Sequence, residues 1–436
     1  MVCWPRTRRK GRVELLEEIL TRKNLNEAYK RVYANKGASG VDSVSVEELH
    51  EHLRVHKAEL LESIRNRTYK PQPVRRVEIP KDNGKMRQLG IPTAVDRVLQ
   101  QAVSQVLSPI YEQQFSNSSY GFRPGRSCEM AITKSLELMN DGYDWIVDID
   151  LERFFDTVNH DRLMNILHRT IEDGDVLSLI RKFLTSGVIA EGTFEETTVG
   201  TPQGGNLSPL LSNIMLNELD KELESRGLNF VRYADDCNIF VRSEKAAERV
   251  MRSITDFIKR KLGLKVNAEK SQIGRPNQIK FLGFGYIEDK SGKYQAIPHK
   301  LSVERLKRKL KALTSRKWGI SLDERLKKLK ELIMGWVNYF RIAEMKRILE
   351  ILDSRLRMRI RVVIWKQWKV PKKRYKALRQ LGASHRSARI AYSGKGYQVL
   401  CKSPTIHAAL TNKRLERRGL VSLASHYAKV HLLTTG

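Results

Sequence analysis

Two adjacent acids interrupt a run of strand-forming residues in the middle of the chain, at residues 230–241. Val, Ile, Phe and Tyr are frequent on both sides of Asp235 and Asp236, which predicts a β-hairpin with both acids at its turn. Neighbouring carboxylates repel each other, and a cation beside them is the usual compensation. Mg²⁺ takes oxygen ligands and often uses few protein carboxylates, which leaves room for substrate phosphates. The alternative is a solvated turn, because Asp is common in turns.

A second acidic strand end lies upstream, in residues 146–156. Asp148 and Asp150 alternate onto the same face of this predicted strand, so the residues alone leave open which of them meets the hairpin acids. A carboxylate pair on one strand and a third carboxylate on a neighbouring strand form the two-metal site used for nucleotidyl transfer. The pattern therefore predicts a phosphoryl-transfer site built on these two strand ends.

The charge of the chain predicts a polyanionic partner. The formal net charge is +31 and the pI is near 10.0, values typical of nucleic-acid-binding proteins. Residues 301–436 carry 34 Lys and Arg against 8 Asp and Glu, a net charge of +26. Residues 1–300 carry 46 against 41, a net charge of +5. A basic surface spread over the whole chain does not explain this split, so the C-terminal part is expected to grip nucleic acid.

Cysteine usage and hydropathy exclude several classes of protein. The four cysteines show no CxxC spacing, so neither a zinc site nor a disulfide framework is predicted, and a reducing cytoplasm fits. No apolar run approaches the ~18 residues of a membrane span. The basic residues 1–12 are not followed by an apolar segment of signal-peptide type. We therefore expect a cytoplasmic protein without a membrane partner.

Periodicity and turn residues predict the remaining segments in chain order. They are helices over residues 13–67 broken by a Gly-containing loop at 35–42, a hairpin over 74–91, a helix capped by Thr93, turn-rich loops at 120–127 and 200–209, a helix from Ser208 as N-cap to about Ser225, a helix over 246–262 and a strand pair near 281–286. Beyond residue 300, three basic amphipathic helices are predicted to pack as a bundle. From Pro371 a small module begins, in which Tyr375, Tyr392 and Tyr397 alternate with Lys and Arg and could stack on exposed bases.

Taken in order, these segments resemble the reverse transcriptase–maturases encoded by group II introns. The likeness covers nearly the whole chain, and eight blocks stand in family order. The blocks are residues 36–42, 75–92, 120–127, 150–163, 201–219, 230–241, 264–271 and 281–285. The sequence Gly335-Trp336-Val337-Asn338-Tyr339-Phe340 resembles the maturase region. The Cys and His clusters of the HNH endonuclease found in many relatives are missing, which suggests the compact, group IIC-like class.

The resemblance implies an α+β right-hand polymerase with fingers and an antiparallel palm sheet, followed by an α-helical thumb and a small basic module. The implied domains are residues 1–68, an N-terminal extension; 69–299, fingers and palm; 300–370, the thumb or maturase (X) domain; and 371–436, a DNA-binding region. The implied function is an RNA-dependent DNA polymerase of a mobile intron, which binds its intron RNA to assist splicing and copies it by target-primed reverse transcription. Its partners would be the parent intron RNA, a DNA target or primer and deoxynucleoside triphosphates, in a bacterial ribonucleoprotein of the cytoplasm.

The resemblance also implies roles for individual residues. The family pattern Asp-x-x-x-x-Phe-Asp matches residues 150–156, which makes Asp150, with Asp235 and Asp236, a ligand of two Mg²⁺ ions that Mn²⁺ could replace. Phe155 falls where the family blocks a ribose 2′-hydroxyl, although a core Phe is the alternative. The residues expected to bind the nucleotide are Arg75, Lys81, Arg87 and Gln203. The residues expected to contact nucleic acid are Lys36, Gly40, Lys270, Arg355, Arg357, Arg359 and Arg361, with solvated surface as the alternative for each.

Two other functions stay open at this point. The first is an RNA-binding splicing maturase whose polymerase site is vestigial; the presence of the acids together with Lys81, Arg87 and Gln203 argues against it. The second is another bacterial reverse transcriptase lineage, such as a retron or diversity-generating type. The long basic helical region and the maturase-like block argue against that lineage.

Overall fold

The computed structural model describes residues 15–80, 84, 86–201 and 204–435. The chain divides into two compact units, Met1–Gly274 and Arg275–Gly436. The four-part division implied by the family resemblance stays a prediction, and its boundary at residue 299 lies within the second unit. Helices combined with mainly antiparallel sheets agree with the predicted α+β class.

The first unit contains helices packed around two four-stranded sheets. Its helices are α1 (Leu15–Ile19), α2 (Arg22–Ala34), α3 (Leu49–Arg65), α4 (Ala94–Glu112), α5 (Cys128–Asn140), α6 (Phe154–Thr157), α7 (His160–His168), α8 (Gly174–Leu184), α9 (Ser208–Ser225) and α10 (Glu244–Phe257), which a π-helical turn (Ile258–Leu262) extends. Its strands are β1 (Val74–Pro80), β2 (Met86–Ile91), β3 (Trp145–Ile149), β4 (Val188–Ala190), β5 (Thr193–Glu195), β6 (Asn229–Tyr233), β7 (Asp236–Val241) and β8 (Gln272–Gly274).

The strand order brings the two acidic strand ends together. One sheet has the order β2-β1-β4-β5, and the other has the order β6-β7-β3-β8. The predicted hairpin of residues 230–241 is confirmed: Tyr233 pairs with Asp236, so Ala234 and Asp235 form a two-residue turn between β6 and β7. Strand β3 pairs antiparallel with β7, and Ile149 lies opposite Cys237. Asp150, the residue after Ile149, therefore lies level with Asp236.

Local capping signals explain where several helices begin. Thr93 caps α4 as predicted, since its hydroxyl accepts a hydrogen bond from the Asp96 amide. The predicted N-cap at Ser208 is wrong. Leu207 occupies the cap position and offers no side-chain acceptor, while Ser208 is already helical. The Ser208 amide instead donates to the Gly205 carbonyl, because a turn leads directly into the helix.

A buried ion pair ties the hairpin to α9. Arg232 on β6 and Asp220 on α9 have side chains only 1% and 0% exposed. The Arg232 Nε donates to Asp220 Oδ1 at 2.7 Å and Nη2 donates to Oδ2 at 2.5 Å. Burial would lower the pKa of Arg232, but the Asp220 carboxylate more than offsets this effect and the pKa of Arg232 is raised. Burial also raises the pKa of Asp220, and the Arg232 charge opposes that shift. The bidentate geometry of the pair compensates for the hydration that both side chains lose in the core.

The same guanidinium also holds the hairpin turn. Arg232 Nη1 donates to the Ala234 carbonyl at 2.9 Å and to Asn213 Oδ1 at 3.0 Å. Asn213 Nδ2 in turn donates to the Gly121 carbonyl at 2.9 Å. A Cβ on Gly121 would lie 2.2 Å from the Ala234 amide nitrogen, so only glycine permits this approach. The turn-rich loop at residues 120–127 thus supports the hairpin from behind.

The second unit is mostly helical. Its elements are β9 (Phe284–Glu288), β10 (Tyr294–Pro298), α11 (Lys300–Leu313), α12 (Leu322–Tyr339), α13 (Lys346–Gln367), α14 (Pro371–Gln380), α15 (His385–Ala388), a 3₁₀ turn (Arg389–Tyr392), α16 (Tyr397–Cys401), α17 (Pro404–Ala409), α18 (Asn412–Arg417) and α19 (Leu423–Thr435), after a 3₁₀ turn at Pro276–Gln278. Helices α11, α12 and α13 confirm the three predicted amphipathic helices. Among the described residues, no helix combines the length and apolar character needed to cross a membrane.

An acid on α13 fastens the last helix of the second unit. Asp353 is 2% exposed and accepts hydrogen bonds from the Leu423 amide at 2.9 Å and the Ala424 amide at 3.0 Å. It also accepts one from the Ser422 hydroxyl at 2.6 Å. These donors stand at the start of α19, where a carboxylate satisfies amides that have no partner within the helix. The contact links the long α13 to the C-terminal helix.

We predict that Asp220→Ala destabilises the protein by about 3–5 kcal/mol, because it leaves the Arg232 charge buried without a partner. Urea denaturation followed by circular dichroism measures the change. Glu137→Ala is the matched control, since Glu137 pairs with Lys134 on the surface and its loss should cost within about 0.5 kcal/mol. Equal stability of Asp220→Ala and Glu137→Ala would contradict the role given to the buried pair.

Candidate active site

The three acids converge on one cavity of about 920 Å³ in the first unit, which we call the acid cavity. Asp150, Asp235 and Asp236 all line it. Asp148, which the sequence left as the alternative to Asp150, is not among the lining residues. The remaining walls are the β1–β2 hairpin, the segment 151–156 and the segment 265–270. The antiparallel register of β3 and β7 is what brings the acids from sequence positions about 85 apart to the same cavity.

Backbone and side-chain contacts hold Asp150 in place. Its amide donates to the Ser271 hydroxyl at 3.0 Å, and its carbonyl accepts the Asn267 amide at 2.8 Å. Lys270 Nζ lies 3.2 Å from Asp150 Oδ1 and 3.3 Å from Oδ2. Lys270, for which the family resemblance implies a place near the substrate, therefore contacts a cavity acid directly.

The electrostatics of the acid cavity suit a bound cation. Burial raises the pKa of Asp235, and the nearby Asp150 charge raises it further, whereas Arg87 and Lys270 oppose the shift. A carboxylate that is buried beside another carboxylate is stabilised by a hard divalent ion with oxygen ligands. Among the described residues, no three acidic, His or Cys side chains stand close enough to coordinate one ion as they are. The donor chemistry fits Mg²⁺, while the ligand set stays a prediction.

Phe155 lies at the edge of the acid cavity, and its neighbour Phe154 belongs to the core. Phe154 is 2% exposed, whereas Phe155 is partly buried and lines the cavity wall. The Phe155 carbonyl accepts the Thr201 amide at 2.6 Å. The Gly200 carbonyl lies 2.6 Å from His160 Nε2, a buried side chain. Phe155 is thus fastened to the start of the Gly-rich loop. Its side chain lines the cavity and also packs against the hydrophobic core, so its role against the 2′-hydroxyl stays a prediction.

The Gly-rich loop at residues 200–209 passes close to the first sheet and to α4. Gly204 has φ +123, and a Cβ there would lie 2.5 Å from the Gly90 carbonyl oxygen of β2. Asn206 Nδ2 donates to Gln101 Oε1 on α4 at 3.0 Å. Gln203, expected to contact the nucleotide, lies outside the described residues, as does Lys81. Both assignments stay predictions.

The two arginines of the β1–β2 hairpin have different surroundings. Arg87 lines the acid cavity, as expected of a nucleotide-binding residue. Arg75 does not line it, and its guanidinium donates to the Ser39 carbonyl at 2.7 and 3.1 Å. In this structure Arg75 therefore orders the loop at residues 35–42. In the same loop Lys36 is exposed, while Gly40 is buried.

Gly40 is buried because the loop packs on the start of α4. A Cβ on Gly40 would lie 2.6 Å from the Thr93 Cα, so the loop backbone meets the helix end directly. Arg97 Nη2 on the first turn of α4 donates to the Ala38 carbonyl at 2.9 Å. These contacts fix the loop from within the protein.

The four arginines of α13 expected to contact nucleic acid occupy different environments. Arg355 is exposed, and Arg357 and Arg359 are partly buried. Arg361 is 4% exposed, and its guanidinium donates to the Leu410 carbonyl and to Asn412 Oδ1, each at 2.9 Å. Successive arginines of this set are two residues apart, and two residues turn a helix by about 200°. The four side chains therefore cannot all lie on one face of α13.

Arg359 likewise makes contacts within the second unit. Its guanidinium donates to the Thr314 hydroxyl and to the Lys311 carbonyl at the end of α11. Arg357 Nη1 lies 4.0 Å from Asp353 Oδ2. Arg355 is therefore the member of this set with the best access to a phosphate.

The supporting residues Arg232, Asp220 and His160 were missed by reasoning from the sequence. Arg232 carries a signal, because it is the only charge in its strand. Asp220 carries none, since Glu218, Lys221 and Glu222 stand beside it in α9 and nothing in the sequence marks it as the buried acid. His160 carries no such signal, since its role depends on the path of the Gly200 loop.

Comparisons with known proteins agree on two regions of the chain. Residues 79–286 match the family described as "Reverse transcriptase (RNA-dependent DNA polymerase)", and residues 303–382 match "Group II intron, maturase-specific domain". Protein YkfC of Escherichia coli (strain K12) is 35% identical over 333 residues, which cover 67% of this chain and 87% of YkfC. The group II intron-encoded protein LtrA of Lactococcus lactis subsp. cremoris is 42% identical over 208 residues, which cover 47% of this chain and 34% of LtrA. A chain of the structure titled "Partial Cas6-RT-Cas1--Cas2 complex" aligns with a TM-score of 0.37 and 23% identity, over 57% of this chain and 43% of that one.

We predict that Asp235→Asn raises the melting temperature in Mg²⁺-free solution by roughly 2–4 °C, or about 1 kcal/mol. The pKa of Asp235 is raised in the folded protein, so its ionised form is less stable there than in the unfolded chain. A neutral amide removes that cost. Adding Mg²⁺ should stabilise the wild type and leave the variant unchanged, because the ion would bind the folded wild-type carboxylates.

Thermal denaturation with and without Mg²⁺ measures both effects. Asp256→Asn makes the same chemical change on the exposed face of α10 and serves as the control. A variant that is still stabilised by Mg²⁺ to the wild-type extent would remove Asp235 from the metal site.

Proposed function

The chain belongs to the family of reverse transcriptase–maturases encoded by group II introns, and from this premise we propose that the acid cavity polymerises DNA on an RNA template. Its right-hand polymerase fold, with a helical domain after the palm, is that of the family. The observation that carries the proposal is the meeting of Asp150, Asp235 and Asp236 in one cavity that Phe155 and Arg87 also line. Acids, a cation and an aromatic edge at one place suit a nucleoside triphosphate.

The roles of these residues follow from the chemistry of phosphoryl transfer. Asp150, Asp235 and Asp236 would hold Mg²⁺, which activates the primer 3′-hydroxyl and neutralises the charge of the leaving pyrophosphate. Lys270 keeps the Asp150 carboxylate oriented by pairing with it at 3.2 Å. Arg87 would bind phosphate oxygens of the incoming nucleotide. Because the transition state of this reaction is loose, positioning and charge neutralisation supply most of the rate.

Phe155 would select deoxyribonucleotides. Its backbone is fastened by the Thr201 amide and its ring borders the cavity beside the acids. A bulky ring at the sugar of the incoming nucleotide leaves no room for a 2′-hydroxyl. We place Gln203 and Lys81 beside the nucleotide on the strength of the family resemblance alone.

The second unit would bind the RNA. Arg275–Gly436 carries 39 Lys and Arg against 10 Asp and Glu, a net charge of +29, whereas Met1–Gly274 carries 41 against 39, a net charge of +2. Phosphate contacts position nucleic acid without reading bases, so recognition of the parent intron RNA would also use RNA shape and unpaired loops. We propose that this binding assists splicing in the cytoplasm and allows copying of the intron from a DNA target used as primer.

The competing function is an RNA-binding maturase without polymerase activity. The presence and convergence of the three acids favour an active polymerase, because a site free of selection has no reason to keep three mutually repelling charges. A retron or diversity-generating lineage is disfavoured by the maturase-specific match at residues 303–382.

Primer extension on poly(rA)/oligo(dT) tests the polymerase. We predict that the wild type extends the primer with dTTP and rejects UTP, and that Phe155→Ala lowers the dTTP-to-UTP preference by roughly ten-fold or more. Phe155→Tyr keeps the ring and should keep the preference. If the folded wild type does not extend the primer, the function is that of an RNA-binding maturase without polymerase activity. If folded Phe155→Ala keeps the wild-type preference, Phe155 does not exclude the 2′-hydroxyl.

We predict opposite effects for two arginines of α13. Arg355→Ala should weaken binding to intron RNA and reduce the log–log salt slope by roughly 0.7–0.9, with an unchanged melting temperature. Arg361→Ala should cost about 1–3 kcal/mol of stability, because its buried acceptors lose their donor. Filter binding at several salt concentrations and thermal denaturation measure the two effects. If Arg355→Ala binds RNA as the wild type does at every salt concentration, this face of α13 does not contact the RNA.

A further inference from the structure

Arg153 has an unusual backbone conformation at the edge of the acid cavity. Its φ of +46° and ψ of +48° lie in the left-handed region, which a side chain with a Cβ adopts at a cost. The conformation is held from the following turn, since the Arg153 carbonyl accepts the Asp156 amide at 2.8 Å and the Thr157 hydroxyl at 3.2 Å. Strained residues of this kind cluster at functional sites, where the strain places a group.

The strained backbone directs an exposed arginine into two adjoining spaces. Arg153 is exposed and lines the acid cavity. It also lines a second cavity of about 190 Å³, which we call the side cavity, together with Gly200 and Thr201. Phe155, proposed above to exclude the ribose 2′-hydroxyl, lines both spaces as well. Arg153 and Phe155 therefore stand where the two cavities meet.

The charges around Arg153 leave its guanidinium available to a ligand. Two neighbouring cations of the acid cavity already face carboxylates: Lys270 pairs with Asp150 at 3.2 Å, and Lys265 pairs with Glu152 at 2.8 Å. The pKa of the Glu152 carboxylate is lowered by Lys265 and, to a smaller extent, by Arg153, and within the described part of the chain no ion pair joins Arg153 to a carboxylate. An exposed guanidinium that carries five donors in a planar fork matches the oxygens of a phosphate.

We propose that Arg153 binds the phosphates of the incoming deoxynucleoside triphosphate. The inference rests on the proposed function, because the nucleotide is the substrate of the polymerase. Arg153 follows Asp150 by three residues, so its Cα lies within about 11 Å of the Asp150 Cα. A guanidinium at that reach can meet the phosphates of a nucleotide whose reacting phosphate lies at the acids. Arg153 and Arg87 then approach the triphosphate from two different segments of the acid cavity wall.

The side chain, rather than the strained backbone, is the part that acts on the nucleotide. Glycine adopts positive φ without a Cβ penalty, so Arg153→Gly removes the guanidinium and relieves the strain together. Arg153→Ala removes the guanidinium and keeps the strain. If the charge binds the nucleotide, the two variants lose affinity equally, although Arg153→Gly should melt at or above the wild-type temperature.

Nucleotide binding without turnover gives the test. Full-length protein is mixed with poly(rA) and an oligo(dT) primer that ends in a dideoxynucleotide, and fluorescent dTTP is titrated in Mg²⁺. We expect the dTTP dissociation constant to rise roughly ten-fold or more in Arg153→Ala and Arg153→Gly, with partial recovery in Arg153→Lys. Inorganic pyrophosphate should displace the nucleotide from the wild type, and the two neutral variants should bind pyrophosphate more weakly by a similar factor.

Matched controls separate the possible failures. Arg169→Ala removes the same charge from an exposed position on α7's C-terminal side and should bind dTTP as the wild type does. Wild-type affinity in folded Arg153→Ala, or a loss confined to the affinity for template–primer, would overturn the role of Arg153 and leave the polymerase intact. Failure of the wild type to extend a normal primer would instead overturn the proposed function. In that case, if the wild type binds dTTP tightly and the Arg153 variants do not, Arg153 would still be the residue that binds the nucleotide phosphates.

Discussion

The bidentate pair between Arg232 and Asp220 is the interaction on which the rest of the site depends. Neither side chain reaches solvent, so each charge is tolerable only while the other stays within hydrogen-bond distance. That requirement sets the distance between β6 and α9. The third arm of the guanidinium donates to the Ala234 carbonyl and so determines where the turn between Tyr233 and Asp236 lies. The catalytic acids proposed here are therefore positioned by a charge pair that never meets the substrate.

The acid cavity combines this rigid support with an unfavourable concentration of negative charge. Burial and the Asp150 charge raise the pKa of Asp235, which means that the folded chain holds this carboxylate at a cost. Lys270 and Arg87 reduce the cost from two other segments of the chain. A site arranged in this way attracts cations, and it tolerates a polyphosphate once further positive charge is present. The folded protein is less stable because these carboxylates lie close together, and the proposed chemistry requires them there.

Basic residues serve two purposes in the second unit, and only one of them concerns nucleic acid. Arg361 and Arg325 are 4% and 1% exposed and donate to backbone carbonyls inside the unit. Arg374, 7% exposed, lies 5.2 Å from the Trp365 ring centroid and 5.1 Å from that of Tyr397. A net charge of +29 therefore overstates the number of cations that can meet phosphate. The same packing limits how Tyr397 can stack on a base, whereas Tyr392 is 59% exposed.

The sequence by itself determined the features that depend on neighbours along the chain. Alternating strand-forming residues and a two-residue turn specify the hairpin, and Thr93 specifies the start of α4. Tertiary structure decided what each long side chain meets. Arg75 and Arg87 belong to one hairpin, yet the first orders the loop at Ser39 and the second lines the acid cavity. The groups that these arginines meet lie tens of residues away in sequence. The packing of helices against the sheet brings each arginine to its partner, and no local sequence pattern records that packing.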